Sequence, residues 1–226
     1  MYRAIAFRQH ARMRTNQGSN VSAIAAELSE DQIHIWRLGY DRAQRRAPLL
    51  ALLGLYLGVP ADAVVLVHGE HGRPALAEPF KGTLEFNWSH GGDRALVALA
   101  RGCAPGIDIE QLRPRPRAMQ LAARFFHPEE TAALSALDKS EQERSFLQLW
   151  TGKEAVLKAM GRGIAFGLER LQLTVPPATP RVLWLESDDA AQWQLCSVSA
   201  GESYVASVAW RGPARNIRCW TLADGA

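Results

Sequence analysis

The sequence predicts an α+β protein built from two halves of similar plan that meet near Pro105. Three observations carry this expectation. Helix-like and strand-like segments run in the order helix, strands, then strand, helices, strands, so one plan recurs on either side of Pro105. The chain has 226 residues, which suits one large domain or two small ones packed together. Hydrophobic residues make up 47% and charged residues 22%, enough for a core and ordinary for a globular chain. The halves are drawn at 1–105 and 106–226. They share no visible identity, so the likeness is one of plan.

The elements follow from local pattern. A helix is expected from Ser29 to Gly58, because Ser29 and Gln32 have capping-box spacing and Gly58-Val59-Pro60 stops the run. Strands are expected at Val64 to His68, Leu84 to Phe86 and Ala95 to Ala100, separated by Gly69, Gly72, Pro74 and the Gly91-Gly92 pair. Gly106 to Glu110 reads as one more strand. Arg113-Pro-Arg-Pro-Arg117 cannot extend it, since proline lacks a ladder N–H. Helical pattern returns at about Ala118 and again from Ser140 to Met160, where Gly161 and Gly163 end it. The tail from Leu168 to Leu222 is rich in strand signals, with a hairpin turn at Ala200-Gly201-Glu202. Met1 to Val21 has no assignable element.

Composition narrows the classes. The formal net charge is +3, a slight excess that permits acidic partners without requiring them. No basic run is interleaved with aromatic residues, so nucleic-acid binding is not expected. The longest apolar run, Ala47 to Val59, is too short to span a bilayer, and the N-terminal stretch lacks the apolar segment of a secretory signal. Three cysteines with no C-x-x-C spacing argue against a disulfide framework or a zinc site. A cytoplasmic protein is expected.

Four segments carry candidate chemistry. On a strand, Asp108 and Glu110 project from one face and Ile107 and Ile109 from the other. Two carboxylates side by side repel unless a cation lies between them, and magnesium suits such oxygen ligands. A bare D-x-E is nevertheless more often a half-exposed strand. In Trp150-Thr-Gly-Lys-Glu-Ala-Val-Leu-Lys158, Glu154 and Lys158 share a helix face. Lys153 falls within the apolar stripe, unusual for a lysine, and snorkelling is the ordinary account. Phe86-Asn-Trp-Ser-His-Gly-Gly-Asp93 is a polar turn able to surround a phosphate or simply to reverse the chain. Gly72-Arg73-Pro74 is a turn presenting one cation.

Taken together and in order, GRPAL, FNWSHGGDRALVALA, GIDIE, ARFFHPEE and FLQLWTGKEAVLKAMGRGI resemble the signature blocks of the Sfp-type 4′-phosphopantetheinyl transferases, over roughly residues 30 to 175. The resemblance implies a pseudo-dimer of two α+β halves with the active site in the cleft between them, in a monomeric chain. It implies magnesium-dependent transfer of 4′-phosphopantetheine from coenzyme A to a serine of an acyl, peptidyl or aryl carrier protein, releasing 3′,5′-ADP. It assigns Asp108, Glu110 and Glu154 to magnesium and Lys158 to the attacked phosphate. Ser89, His90, Arg73 and Lys153 fall to coenzyme A, and Arg42 and Arg46 are further candidates for its nucleotide. Glu154 is expected to act as base, with Glu130 as the alternative. Two features depart from the family pattern: Gly152 where a larger residue is common, and Ala51 and Leu55 where arginine is common. The arginines at 113, 115, 117 and 124 form either a solvated basic loop or a docking patch for an acidic carrier. The rivals are a phosphohydrolase or nuclease using the same carboxylates with water, and a binding-only relative.

Overall fold

The computed structural model describes residues 14–16 and 21–222. A five-stranded sheet has the order β1 (Arg14–Asn16), β12 (Asn216–Leu222), β2 (Gln32–Gly39), β6 (Arg94–Ala100), β5 (Glu85–Gly91). A three-stranded sheet has the order β10 (Trp193–Ser197), β11 (Tyr204–Arg211), β7 (Gly106–Gln111). Two hairpins, β3 (Leu66–His68) with β4 (Pro74–Leu76) and β8 (Leu171–Leu173) with β9 (Val182–Leu185), stand apart from them. The helices are α1 (Val21–Ala26), α2 (Ala47–Leu57), α3 (Ala118–Phe125), α4 (Pro128–Ser135) and α5 (Lys139–Met160).

The architecture is α+β, with helices and antiparallel strand pairs in both parts of the chain. Among the described residues one strand crosses the division expected at Pro105. Strand β12 leaves the second part and pairs parallel with β2 of the first, Ile217 against Ile33 and Trp220 against Trp36. It covers an edge of β2 that would otherwise expose backbone donors and acceptors. Strand β1 pairs parallel with β12. Apart from Arg14–Asn16, residues 1–20 lie outside the described residues.

The helix expected from Ser29 to Gly58 is corrected. Residues 32–39 form β2, and only 47–57 are helical. The Ser29 hydroxyl donates to Asp31 Oδ1 at 2.5 Å rather than capping a helix. The reason is burial on both faces. Ile33 and Ile35 enter one core, Trp36 and Leu38 the other. A strand apolar on both sides loses its period-two signature and reads like a buried helix. The stop at Gly58 stands, with the glycine in the left-handed region at φ 70°.

Three cores organise the molecule. One lies between the first sheet and α1 and α2, another between the second sheet and α3 to α5. The third joins the sheets, with Ile33, Ile35 and Leu96 against Ile107, Ile109 and Val208. Strand β5 runs beside β7, where Asn87 Oδ1 accepts from Ile107 N at 2.9 Å. A β-carbon on Gly91 would stand 2.8 Å from Ile109 O, so this close approach needs glycine.

The first core holds a polar chain with a pH consequence. Trp36 Nε1 donates to Tyr56 Oη at 2.7 Å, and His34 Nδ1 lies 2.8 Å from the same hydroxyl. His34 Nε2 lies 3.0 Å from Gln32 Oε1. A neutral imidazole satisfies every group: Tyr56 donates to Nδ1 and Nε2–H donates to Gln32. Burial, with the Arg218 charge, lowers the His34 pKa from 6.5 to about 4. The unfolded chain therefore binds the proton that the folded one rejects. This stability is complete above pH 6.5 and is lost as the pH falls toward 4. Between pH 6.5 and 5 the wild type should lose about 1.5 kcal/mol more than His34→Gln in urea unfolding. Parallel pH dependence in the two proteins would refute this account.

Candidate active site

The site forms where β5, β7 and α5 meet. Gly106, Asp108 and Glu110 alternate along β7 and share its α5-facing side. A β-carbon on Gly106 would overlap Ala155 O and Ala159 N. The absence of a side chain there lets α5 lie close enough for Glu154 and Lys158, one turn apart, to address the carboxylates of β7. On the other side Ile107 and Ile109 anchor the strand in the inter-sheet core.

Lys158 Nζ lies 2.6 Å from Asp108 Oδ1 and donates to Ser89 Oγ at 3.0 Å and Ile107 O at 3.2 Å. The Ser89 hydroxyl donates to the same Asp108 Oδ1 at 2.7 Å. Ser89 is thus brought from the first part of the chain onto an ion pair of the second. Asp108 Oδ2 and Glu154 Oε1 are buried and have no hydrogen-bond partner. Burial, and then the Asp108 charge, push Glu154 up to about 7 against the pull of Lys158. Burial also raises Glu110, opposed chiefly by Arg115, whose Nη2 lies 2.5 Å from Glu110 Oε2.

His90 is exposed at the end of β5 and stacks on Tyr40, ring centroids 4.0 Å apart and planes 7° from parallel. Burial, Lys158 and Arg42 lower its pKa. The imidazole, the Lys158 ammonium and the Arg42 guanidinium therefore share one electrostatic neighbourhood.

Among the described residues, no three His, Cys, Asp or Glu side chains are drawn together closely enough to form a metal cluster. The donor chemistry still fits a hard cation. Two buried carboxylate oxygens lack partners, and a third carboxylate is held by a single guanidinium nitrogen. Such groups are stabilised by a positive charge between them.

Several expected site residues lie elsewhere. Lys153 and Glu130 do not join the cluster. Both are fully buried, with Lys153 Nζ 2.7 Å from Glu130 Oε2. Lys153 also donates to Leu168 O and Leu171 O. Glu130 accepts from His127 N at 3.0 Å and Leu173 N at 2.7 Å, so it caps α4 and ties it to β8. Both oxygens of this carboxylate are in use, so these contacts lend no support to Glu130 as a base or to Lys153 as a phosphate ligand. Arg73 is engaged in the same way. It donates to Phe86 O at 3.1 Å, Pro105 O at 3.0 Å, Ala159 O at 3.2 Å and Lys158 O. It clamps the end of α5 to β5 instead of presenting a free cation. Arg46 Nη1 meets His68 Nε2 at 3.2 Å, and Arg42 is exposed near His90.

The patch of arginines is also altered. Arg113, Arg117 and Arg124 are exposed, but Arg115 turns inward to Glu110. At Gly152 a β-carbon would come 2.9 Å from Leu173 Cδ1 and 3.5 Å from Leu195 Cδ2. Tyr40 and Arg115 stand at the site although they belong to no motif block and the sequence gives them no role there. A basic residue between prolines is visible in the sequence, but its direction is not.

Relatives confirm the resemblance. A family model described as the 4′-phosphopantetheinyl transferase superfamily matches residues 104–209. The 4′-phosphopantetheinyl transferase HetI of Nostoc sp. is 34% identical over 209 residues, covering 89% of this chain and 86% of that protein. The 4′-phosphopantetheinyl transferase AcpT of Salmonella typhimurium is 35% identical over 134 residues, 59% of this chain and 68% of that protein. A likeness to HetI that runs almost end to end, with Asp108, Glu110, Glu154, Lys158 and Ser89 gathered at one junction, places this chain in the 4′-phosphopantetheinyl transferase family.

Proposed function

We propose that this chain transfers the 4′-phosphopantetheine group of coenzyme A to a serine hydroxyl of an apo acyl, peptidyl or aryl carrier protein and releases 3′,5′-ADP. The observation that carries the reading is the Lys158–Asp108–Ser89 contact beside two unpartnered buried carboxylate oxygens. A cation, a hydroxyl and poised carboxylates at one junction are what phosphoryl transfer requires, since its catalysis is chiefly positioning and charge neutralisation.

In the reaction the carrier serine oxygen attacks the β-phosphorus, the one bearing pantetheine. A bond forms from that oxygen to phosphorus. The bond from phosphorus to the bridging oxygen breaks, and the electron pair leaves with 3′,5′-ADP. Lys158 faces the phosphate oxygens and offsets the developing charge. Ser89 and His90 hold the phosphates of the nucleotide end, with Arg42 near them. The serine proton passes to Glu154. A carboxylate within reach of the serine hydroxyl can take its proton as the new bond forms. Glu154 has two oxygens, so one can accept the proton while the other faces a cation. Asp108, Glu110 and Glu154 would hold magnesium, which when bound supplies a positive charge to the two phosphates of the pyrophosphate.

Both sides of the junction come from one chain, which supports a monomer. No helix among the described residues is long and apolar enough to cross a membrane. The three cysteines, Cys103, Cys196 and Cys219, are unpaired, which supports the cytoplasmic reading.

The decisive experiment is intact-mass analysis of a panel of apo carrier proteins incubated with the chain, coenzyme A and magnesium. A gain of one phosphopantetheine mass is expected, abolished by EDTA and restored by added magnesium. Hydrolysis of coenzyme A without carrier would favour the phosphohydrolase instead. A second result separates binding from chemistry. His90→Ala should raise the KM for coenzyme A about tenfold and leave kcat within about threefold, because its contacts lie at the nucleotide end. A thousandfold loss of kcat with unchanged coenzyme A affinity would overturn the assignment.

A further inference from the structure

Arg115 stands on a stiff strap between β7 and α3. Pro114 and Pro116 flank it and fix the backbone on both sides. The strap is pinned at Leu112 N to Ser203 O, 2.8 Å, and at Arg115 N to Glu143 Oε1, 3.0 Å. Arg115 O in turn accepts from Ala118 N at 2.8 Å, at the start of α3. The guanidinium is therefore delivered to Glu110 by a backbone held at both ends.

The contact itself is incomplete. A guanidinium meets a carboxylate best through two parallel N–H donors. Here Nη2 alone meets Glu110 Oε2, and Nε is buried without a hydrogen-bond partner. Such an ion pair neutralises charge but is poorly satisfied, so a better cation can replace it at low cost. The neighbouring pair has the same character: Lys158 holds one oxygen of Asp108 and leaves the other unpartnered. Among the described residues Glu154 has no ion-pair partner at all.

We infer that Arg115 is a resident counter-cation for Glu110, holding the carboxylate while no divalent cation is bound and yielding it when one binds, so that Arg115 sets the metal affinity of the site. The inference rests on the reading of Asp108, Glu110 and Glu154 as the metal carboxylates. It differs from a purely structural role in sign. Loss of a structural support loosens the carboxylates and weakens metal binding, whereas loss of a competitor tightens it.

The test is a titration of the full chain with manganese(II), without coenzyme A or carrier, free ion being followed by electron paramagnetic resonance. Arg115→Gln should bind manganese about fivefold more tightly than wild type. Arg113→Gln and Arg117→Gln remove the same charge from the same strap without touching Glu110, and should stay within about twofold because exposed charges are well screened. Arg115→Met keeps the apolar stem and serves if the glutamine variant does not fold. Equal or weaker binding by the Arg115 variants would overturn the inference. So would equal tightening by all three glutamine variants, which would reduce the effect to net charge. If wild type shows no manganese site that Asp108→Asn removes, the carboxylate reading itself fails, and the inference with it.

Discussion

Lys158→Ala should lower kcat for phosphopantetheine transfer by about 100- to 1,000-fold, the range for losing one preorganised charge at a phosphoryl centre. The ammonium touches Asp108, Ser89 and Ile107 O at once, so its removal strips the junction of its central cation. Its side chain is 24% exposed, and water can replace part of what it gave Asp108, so the chain should remain folded. The KM for coenzyme A should rise less than kcat falls, since the interaction strengthens as charge develops. Asp108→Asn should match the loss and preserve shape, because it removes one of several crowded carboxylate charges. Rates are to be read with circular dichroism and a thermal melt on each variant. A Lys158→Ala enzyme within threefold of wild type would remove this residue from the chemistry.

The second large effect is on stability. Lys153→Ala should cost about 3–5 kcal/mol, the usual consequence of stranding one partner of a buried ion pair. Glu130 would be left as a fully buried carboxylate facing only two backbone N–H groups. Burial already pushes Glu130 up and Lys153 down, each opposed by the charge of the other. Lys153→Met combined with Glu130→Gln should recover a good part of the loss, because the pair is then neutral and of similar volume. Urea unfolding of wild type, Lys153→Ala and the double variant measures this, and the double variant should retain transfer activity in its folded fraction. If Lys153→Ala unfolded at the wild-type urea midpoint yet lost transfer a thousandfold, the lysine would belong to the active site after all.

These two results bear on why the Trp150 to Lys158 helix could be read only in part. The spacing put Glu154 and Lys158 on one face, and that is where they lie. It also showed Lys153 inside the apolar stripe, an anomaly whose partner it could not name. The partner is Glu130, brought across the second core by α4 packing on α5. The capping signal His127-Pro-Glu-Glu130 was present, with Glu130 at the third helical position, but a cap and a catalytic acid look alike in a sequence. Arg73 shows the same limit. A cation in a Gly-Pro turn reads as exposed, yet four backbone carbonyls converge on it.

The sequence by itself determined the β7 strand with its paired carboxylates and the α5 face that meets them, because these depend on alternation and helical spacing. The family rested on the resemblance of whole motif blocks. The expected turn from Phe86 to Asp93 is instead strand β5 as far as Gly91. Tertiary structure alone decided that residues 32–39 are strand rather than helix, that β12 crosses into the first sheet, and that Arg115 rather than solvent faces Glu110. Each of those outcomes depends on what packs against both sides of a segment or on where a long side chain finds its charge. Contacts between residues far apart in the chain supply that information, and local periodicity does not carry it.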